Sequence, residues 1–312
     1  MTPKERAVAA LELRVPDLVP TFELEFQLCP ELFGTDFVWV DGLQGEERER
    51  AIQHNADLHV RVAERLDYSI IRTGDTRVLR RLRETGAADR FLLCGEADGT
   101  MAIPDGQSME DLAAQIYEEP DQLHEELRRR TEAAIESGAR QIEAGAEMLT
   151  MCADYCFNTQ PFLSPKQFGE FVTPYLAQTI EAHRRNGAYV VKHTDGNLMP
   201  ILDQIVDANP HGIHSLDPQG GVDIAEVKAL VGERVCLCGN VNCALLQTGT
   251  LDEIRASAEY ALKHGMPGGG FIYCTSNVAF KGMELERYLY LLDIRQELGW
   301  YSRSQPSPSS PR

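Results

Sequence analysis

Short apolar or β-branched runs recur along this chain, and amphipathic helical stretches separate them. The runs cover residues 19–25, 68–72, 91–94, 148–152, 189–193, 212–216, 235–238 and 271–274. Helical patterns fill most of the gaps, most clearly at 46–65, 121–144, 165–185 and 251–263. Strict alternation of strand and helix predicts a parallel sheet, because parallel neighbours need a crossover between them. Eight such units predict an α/β fold, a single (β/α)8 TIM barrel over residues 1–301. A doubly wound open sheet is the other architecture of this class, but no GxGxxG follows the first predicted strand. Two helix starts are explicit. Thr2-Pro3-Lys4-Glu5 and Ser164-Pro165-Lys166-Gln167 both carry a hydroxyl cap, a proline at the first helical position and an acid or amide three residues after the cap.

The length of 312 residues suits one barrel without a second domain, and residues 302–312, SRSQPSPSSPR, have the composition of a disordered tail. Hydrophobic residues at 43% supply a core, while 30 basic against 48 acidic residues leave a net charge of −18. That charge disfavours nucleic acid and anionic membrane as partners and leaves a small-molecule substrate, with a homodimer as a candidate assembly. No apolar run approaches the ~18 residues of a membrane helix, and residues 1–14 are charged and lack a signal-peptide core, so a cytoplasmic location is expected. The eight cysteines mostly lie inside apolar runs and read as reduced core thiols; Cys236 and Cys238 point to one face of a strand without a second pair at zinc-site spacing. Gly268-Gly269-Gly270 precedes the last strand and reads as a helix-to-strand turn rather than a phosphate loop.

In a (β/α)8 barrel the loops after the strands build the active site, so the polar residues that end each strand are the candidates. They are Glu23 and Glu25, Arg72 and Asp75, Glu96 and Asp98, Asp154 and Tyr155, His193 to Asn197, Asp217, Asn240 and Asn242, and Cys274 to Asn277. Asp75 and Asn242 also read as helix caps. Carboxylates, an imidazole, a thiol and amides at one mouth suit proton transfer or a divalent metal. His193-Thr194-Asp195 is the sharpest piece, since it presents an imidazole and a carboxylate two residues apart. The plain alternative is a buried hydrogen-bonded histidine, with Asp195 capping a helix over 197–206.

The segments Leu163 to Tyr175 (LSPKQFGEFVTPY), Lys192 to Asn197 (KHTDGN), Cys238 to Val241 (CGNV) and Gly268 to Ile272 (GGGFI) together resemble the uroporphyrinogen decarboxylase superfamily. It includes the decarboxylase and zinc-dependent methyltransferases that serve corrinoid proteins or coenzyme M. The resemblance implies a (β/α)8 barrel. The decarboxylase carries arginines at its first strand for the substrate's carboxylates, whereas this chain reads PTFELEFQ over residues 20–27, with Glu23 and Glu25. The methyltransferases hold zinc with His-x-Cys and a later Cys. Here His193 matches, Asp195 stands at the first Cys, and the third ligand falls on Cys274 by strand position or on Asn277 by alignment to GGGFI.

The resemblance therefore implies a metal-assisted methyltransferase or demethylase acting on a small O-methyl or N-methyl substrate, with zinc on His193, Asp195 and Cys274. The catalytic candidates are Glu23, Asp154, Tyr155 and His193, and the substrate-binding candidates are Glu25, Arg72, Glu96, Asp217, Asn240 and Asn277. No DxHxxG sequence is present, so a corrinoid would come from a separate protein. Two alternatives stay open: a decarboxylase needing no cofactor, and a non-catalytic ligand-binding barrel.

Overall fold

The computed structural model describes residues 1–106 and 108–301, so the predicted tail at 302–312 lies outside the described residues. Among the described residues seven parallel strands form one sheet in chain order. They are β1 (Ile70–Arg72), β2 (Leu92–Glu96), β3 (Met148–Cys152), β4 (Tyr189–Thr194), β5 (Gly212–Ser215), β6 (Cys236–Val241) and β7 (Phe271–Thr275). Helices fill the crossovers, and all strand C-termini emerge at one end. Among the described residues no helix is long and apolar enough to cross a membrane.

Seven of the eight predicted runs became these strands, with ends shifted by a few residues. The first run, 19–25, did not. The run and the residue after it make isolated parallel bridges, Thr21 with Tyr273 and Phe26 with Ala279, in place of a ladder. Both sheet edges nevertheless bond to it: Ser69 N–H donates to the Thr21 carbonyl at 2.8 Å and Tyr273 N–H to the Pro20 carbonyl at 2.9 Å. Regular pairing fails there for two local reasons. Pro20 has no N–H to donate, and the Leu24 carbonyl is taken by the Arg72 guanidinium at 2.9 Å.

Strand alternation divides the buried side chains into two sets. Phe22, Leu24, Ile70, Leu92, Cys94, Met148, Val191, Cys236, Cys238, Ile272 and Cys274 form a small apolar plug inside the curl, together with Ala7, Ala10 and Leu11 of the helix Pro3–Leu11. Their neighbours of opposite parity, such as Ile71, Leu93, Leu149, Val190, Leu237 and Tyr273, pack outward in the larger core shared with the helices. The helix Pro3–Leu11 starts with the predicted capping box and lies across the strand N-termini, where Lys4 N–H donates to the Arg90 carbonyl at 2.9 Å. It covers that end, and the strand C-termini form the open one. The predicted helix at 165–185 is two helices, Pro165–Phe171 and Thr173–Arg185, broken where Pro174 has no N–H to donate to the Glu170 carbonyl.

Lys192 takes the outward parity on β4 and is wholly buried. Its ammonium meets Asp98 Oδ2 at 2.8 Å and the carbonyls of Met151 and Ala153 at 3.2 and 3.0 Å, and it lies 4.2 Å from the centroid of the Tyr155 ring. Burial works to raise the Asp98 carboxyl, but the Lys192 charge and the Thr100 hydrogen bonds outweigh it and hold the group below its ordinary value. The pair fastens the loop after β2 to β4. Asp98→Asn would leave the ammonium buried without a counter-charge and should lower the unfolding free energy by about 3–5 kcal/mol, read as a reduced urea midpoint. Adding Lys192→Met should recover most of the loss; an unchanged midpoint in the single variant would show that the pair is not structural.

Candidate functional site

Three predicted residues converge above the apolar plug. Each of Asp154, His193 and Asp195 offers one ligand atom, and these atoms all lie within 4.8 Å of one another. His193 shares the inward parity of Val191, whereas Asp154 and Asp195 sit in the loops after β3 and β4. The two loops are stitched together. Asp195 N–H donates to Asp154 Oδ1 at 3.0 Å, and Tyr155 N–H donates to Thr194 Oγ1 at 2.8 Å. From the loop after β7, Asn277 Nδ2 donates to Asp195 Oδ2 at 2.5 Å. Asp195 Oδ1 is buried and has no hydrogen-bond partner among the described residues.

Burial, with help from the Lys192 and Arg72 charges, pushes the His193 ring down to about 3, so it is neutral at physiological pH. Its Nε2 lies 3.7 Å from Asp154 Oδ1 and 3.8 Å from Asp195 Oδ1, which is proximity without an ion pair or a hydrogen bond. Burial and the adjacent Asp154 charge push Asp195 up to about 7, against an opposing pull from the Ser215 hydroxyl, which stands near the carboxylate without reaching hydrogen-bond geometry. The result is an imidazole nitrogen and a buried carboxylate oxygen, neither with a hydrogen-bond partner among the described residues, beside the half-exposed Asp154. Such a set can receive a divalent cation, or it can hold a proton near neutrality.

Other candidates take supporting places. Arg72 and Glu96 pair with each other at the mouth, and Arg72 Nε also donates to Thr150 Oγ1 at 2.9 Å. Asp217 is buried and caps the turn Pro218–Gly220 through Gln219 N–H at 2.9 Å, while Asn240 Nδ2 donates to the Leu216 carbonyl at 3.0 Å. Both brace loops around the group. Asp75 and Asn242 are helix caps, accepting from Arg77 N–H and Ala244 N–H. Asp195 is not a cap. The helix after it begins later, at Met199–Ile201 and Leu202–Asp207, and Asn197 Oδ1 accepts from Met199 N–H instead.

Four predicted residues are not brought to the group. Cys274 lies in the apolar plug and is not among the donor atoms that converge, and burial lifts its thiol well above the ordinary value. The third member of the group is Asp154. Tyr155 is wholly buried behind β4, sharing a 2.5 Å hydrogen bond with Thr100 Oγ1 and packing edge-on against Phe168. Glu23 takes the parity opposite to Phe22 and Leu24, so it faces the helix layer. There its carboxyl receives Thr275 N–H at 3.0 Å, Thr275 Oγ1 at 2.6 Å and the Tyr288 hydroxyl at 3.2 Å. Glu25, two residues on, is exposed and lines a cavity of about 790 Å³ between the segment 23–27, the end of β1 and the helix Gly45–Leu66. None of Asp154, His193 and Asp195 lines this cavity; Arg72 borders both places.

Sequence reasoning missed His214 on β5. The Nδ1 atoms of His193 and His214 lie 2.8 Å apart. The signal was available: His214 stands two residues inside the predicted end of its strand and shares the parity of the residues that face the inside of the curled sheet.

A uroporphyrinogen decarboxylase (URO-D) family profile matches residues 100–298. The chain belongs to the uroporphyrinogen decarboxylase family. Among its relatives, the uroporphyrinogen decarboxylase of Chlorobium luteolum is 28% identical over 151 residues, 47% of this chain and 40% of the relative. The methylcobamide:CoM methyltransferase MtaA of Methanosarcina barkeri is 30% identical over 165 residues, 51% of this chain and 47% of the relative. The matched stretch spans less than half the length of these relatives. A solved methyltransferase from Methanosarcina mazei superimposes with a TM-score of 0.76 at 19% identity over 95% of this chain and 99% of its own, a likeness of fold.

Burial lifts the Glu23 carboxyl from 4.5 to about 8, against the opposing hydrogen bonds from Thr275 and Tyr288. The folded chain therefore keeps a proton that the unfolded chain releases above its ordinary value. This contribution to stability is complete in acid and is lost as pH rises through the folded value. Glu23→Gln places an amide where the protonated acid stands and should flatten the decline of Tm between roughly pH 5 and pH 9. Parallel wild-type and variant curves would show that Glu23 is ionised in the folded chain.

Proposed function

We propose that this family member is a metal-dependent methyl-transfer enzyme, moving a methyl group from a small O-methyl or N-methyl substrate to a separate corrinoid protein or a thiol. The observation that carries the proposal is the pairing of two unspent donors, His193 Nε2 and the buried Asp195 Oδ1, beside Asp154. A buried carboxylate oxygen without a partner is costly unless something binds it. One imidazole and two carboxylates fit zinc or another first-row divalent ion, without the thiolates of the softer site that the family resemblance implies. His193, Asp154 and Asp195 would hold the ion, which when bound would lower the pKa of an accepting thiol or polarise the heteroatom that releases the methyl group.

The remaining residues have definite tasks in this reading. Asn277 holds the Asp195 carboxylate, and the Asp154 side open to solvent leaves an approach for substrate. The Arg72–Glu96 pair borders that approach, and the adjoining cavity accommodates the body of the substrate. The segment 20–26, bonded to both edges of the sheet, serves as the eighth stave of a closed barrel. The partial match to the methylcobamide:CoM methyltransferase supports methyl transfer; the matches to uroporphyrinogen decarboxylases support the alternative.

That second reading, decarboxylation of a small carboxylic acid, is favoured by the Asp195 carboxyl, pushed up to about 7 by burial and Asp154. Such a group can donate a proton to the carbanion left when carbon dioxide departs. Metal analysis of protein purified without chelator separates the two readings. We expect one divalent ion per chain, its loss in His193→Ala with melting temperature close to wild type, and loss of methyl-donor turnover in chelator. Full activity on a carboxylic acid in chelator would establish the decarboxylase instead. A destabilised His193→Ala protein that keeps its metal and turnover would make His193 part of the scaffold.

A further inference from the structure

The ring of His193 is held from behind by a second histidine. β4 and β5 run in a register that sets His193 opposite His214. The two rings are inclined by 48° with centroids 5.0 Å apart, and their Nδ1 atoms are 2.8 Å apart. A hydrogen bond between two ring nitrogens requires one to carry the proton and the other to be bare. Nε2 of His193 is too far from either carboxylate to form a hydrogen bond, so the tautomer of that ring is decided at Nδ1.

Among the described residues His214 makes no other polar contact through its ring. Its Nε2 is buried and without a partner among the described residues, and its aromatic neighbour on the opposite wall, Phe22, meets it edge-on at 6.0 Å. A histidine present for packing alone would leave a polar nitrogen unsatisfied for no return, and an apolar residue of similar volume would serve better. The single bond His214 makes is directed at the one nitrogen whose state controls the donor set.

We propose that His214 is a positioning residue for the cation site, accepting the Nδ1 proton of His193 and so holding the His193 ring with Nε2 bare towards Asp154 and Asp195. The proposal rests on the metal-binding reading of that group. The ring of a ligating histidine ordinarily donates its second N–H to a carboxylate or a carbonyl. Here a neutral imidazole takes that role, and it adds no third negative charge beside Asp154 and Asp195. In this arrangement His214 carries its own proton on Nε2, the atom that the fold leaves unpartnered.

The test compares His214→Asn with His214→Gln in the full chain, using zinc as the probe. The Asn side-chain oxygen falls where the histidine Nδ1 stood, whereas the longer Gln side chain puts its polar atoms near the former Nε2. Competition against a chromophoric chelator should find zinc bound about 10–100-fold more weakly by His214→Gln. His214→Asn should stay within a few-fold of wild type, although both variants lose the same ring and have similar melting temperatures. Cobalt substitution adds a spectroscopic readout: the ligand-field bands should be preserved in the Asn variant and altered in the Gln variant. Wild-type affinity in both variants, or equal weakening in both, overturns the positioning role while leaving the metal site standing. A wild-type chain that binds neither ion overturns the metal reading and the positioning role together.

Discussion

Adjacent residues on a strand face opposite sides of the sheet, and in a curled parallel sheet those sides become an inside and an outside. Almost everything about the candidate site depends on that constraint. On β4, Val191 and His193 point inward, so the imidazole rises from the apolar plug towards the mouth. Val190 and Lys192 point outward, so the neighbouring ammonium is buried against Asp98 and Tyr155. One residue of shift would exchange a ligand for a structural cation.

The same rule explains why the inside is dry and the mouth is not. The plug contains four cysteines, Cys94, Cys236, Cys238 and Cys274, which serve as small hydrophobes among larger apolar side chains. Towards the strand C-termini the inward positions turn polar, with His193 on β4 and His214 on β5. The low-dielectric floor keeps both rings neutral and holds Asp195 near neutrality. A site of this kind can retain an unspent carboxylate oxygen because the loops carrying it are pinned elsewhere: Asp195 through Asn277 and its own N–H, Asp154 by receiving that N–H, and Tyr155 through Thr194.

The cavity and the donor group are neighbours with different chemistry. The donor group is compact and partly buried. The cavity is roomy, and its wall mixes apolar groups with charges that are largely neutralised in place, such as Arg77 by Asp41 and Asp75. Arg72 is the hinge between them, bonded to the Leu24 carbonyl on one side and to Thr150 and Glu96 on the other. Its guanidinium, together with the missing N–H of Pro20, keeps the first run from pairing as a regular strand, so the irregularity of that run and the shape of the mouth share a cause.

The sequence by itself determined the alternation of strands and helices, both capping boxes, the side of the sheet on which chemistry gathers, and the family. These are local or periodic properties, encoded by residues near one another in the chain. It also pointed to His193, Asp195 and Asp154, because each follows a strand that the pattern makes visible. Only the tertiary structure decided which donors meet. Cys274 lies near its predicted place along the chain but packs into the apolar plug, and Glu23 has the wrong parity for the mouth because Phe22 and Leu24 claim the interior. His214 became part of the site only when the pairing register of β4 and β5 set it opposite His193. Depth, parity relative to a neighbouring strand and register are relations between distant segments, and packing sets them.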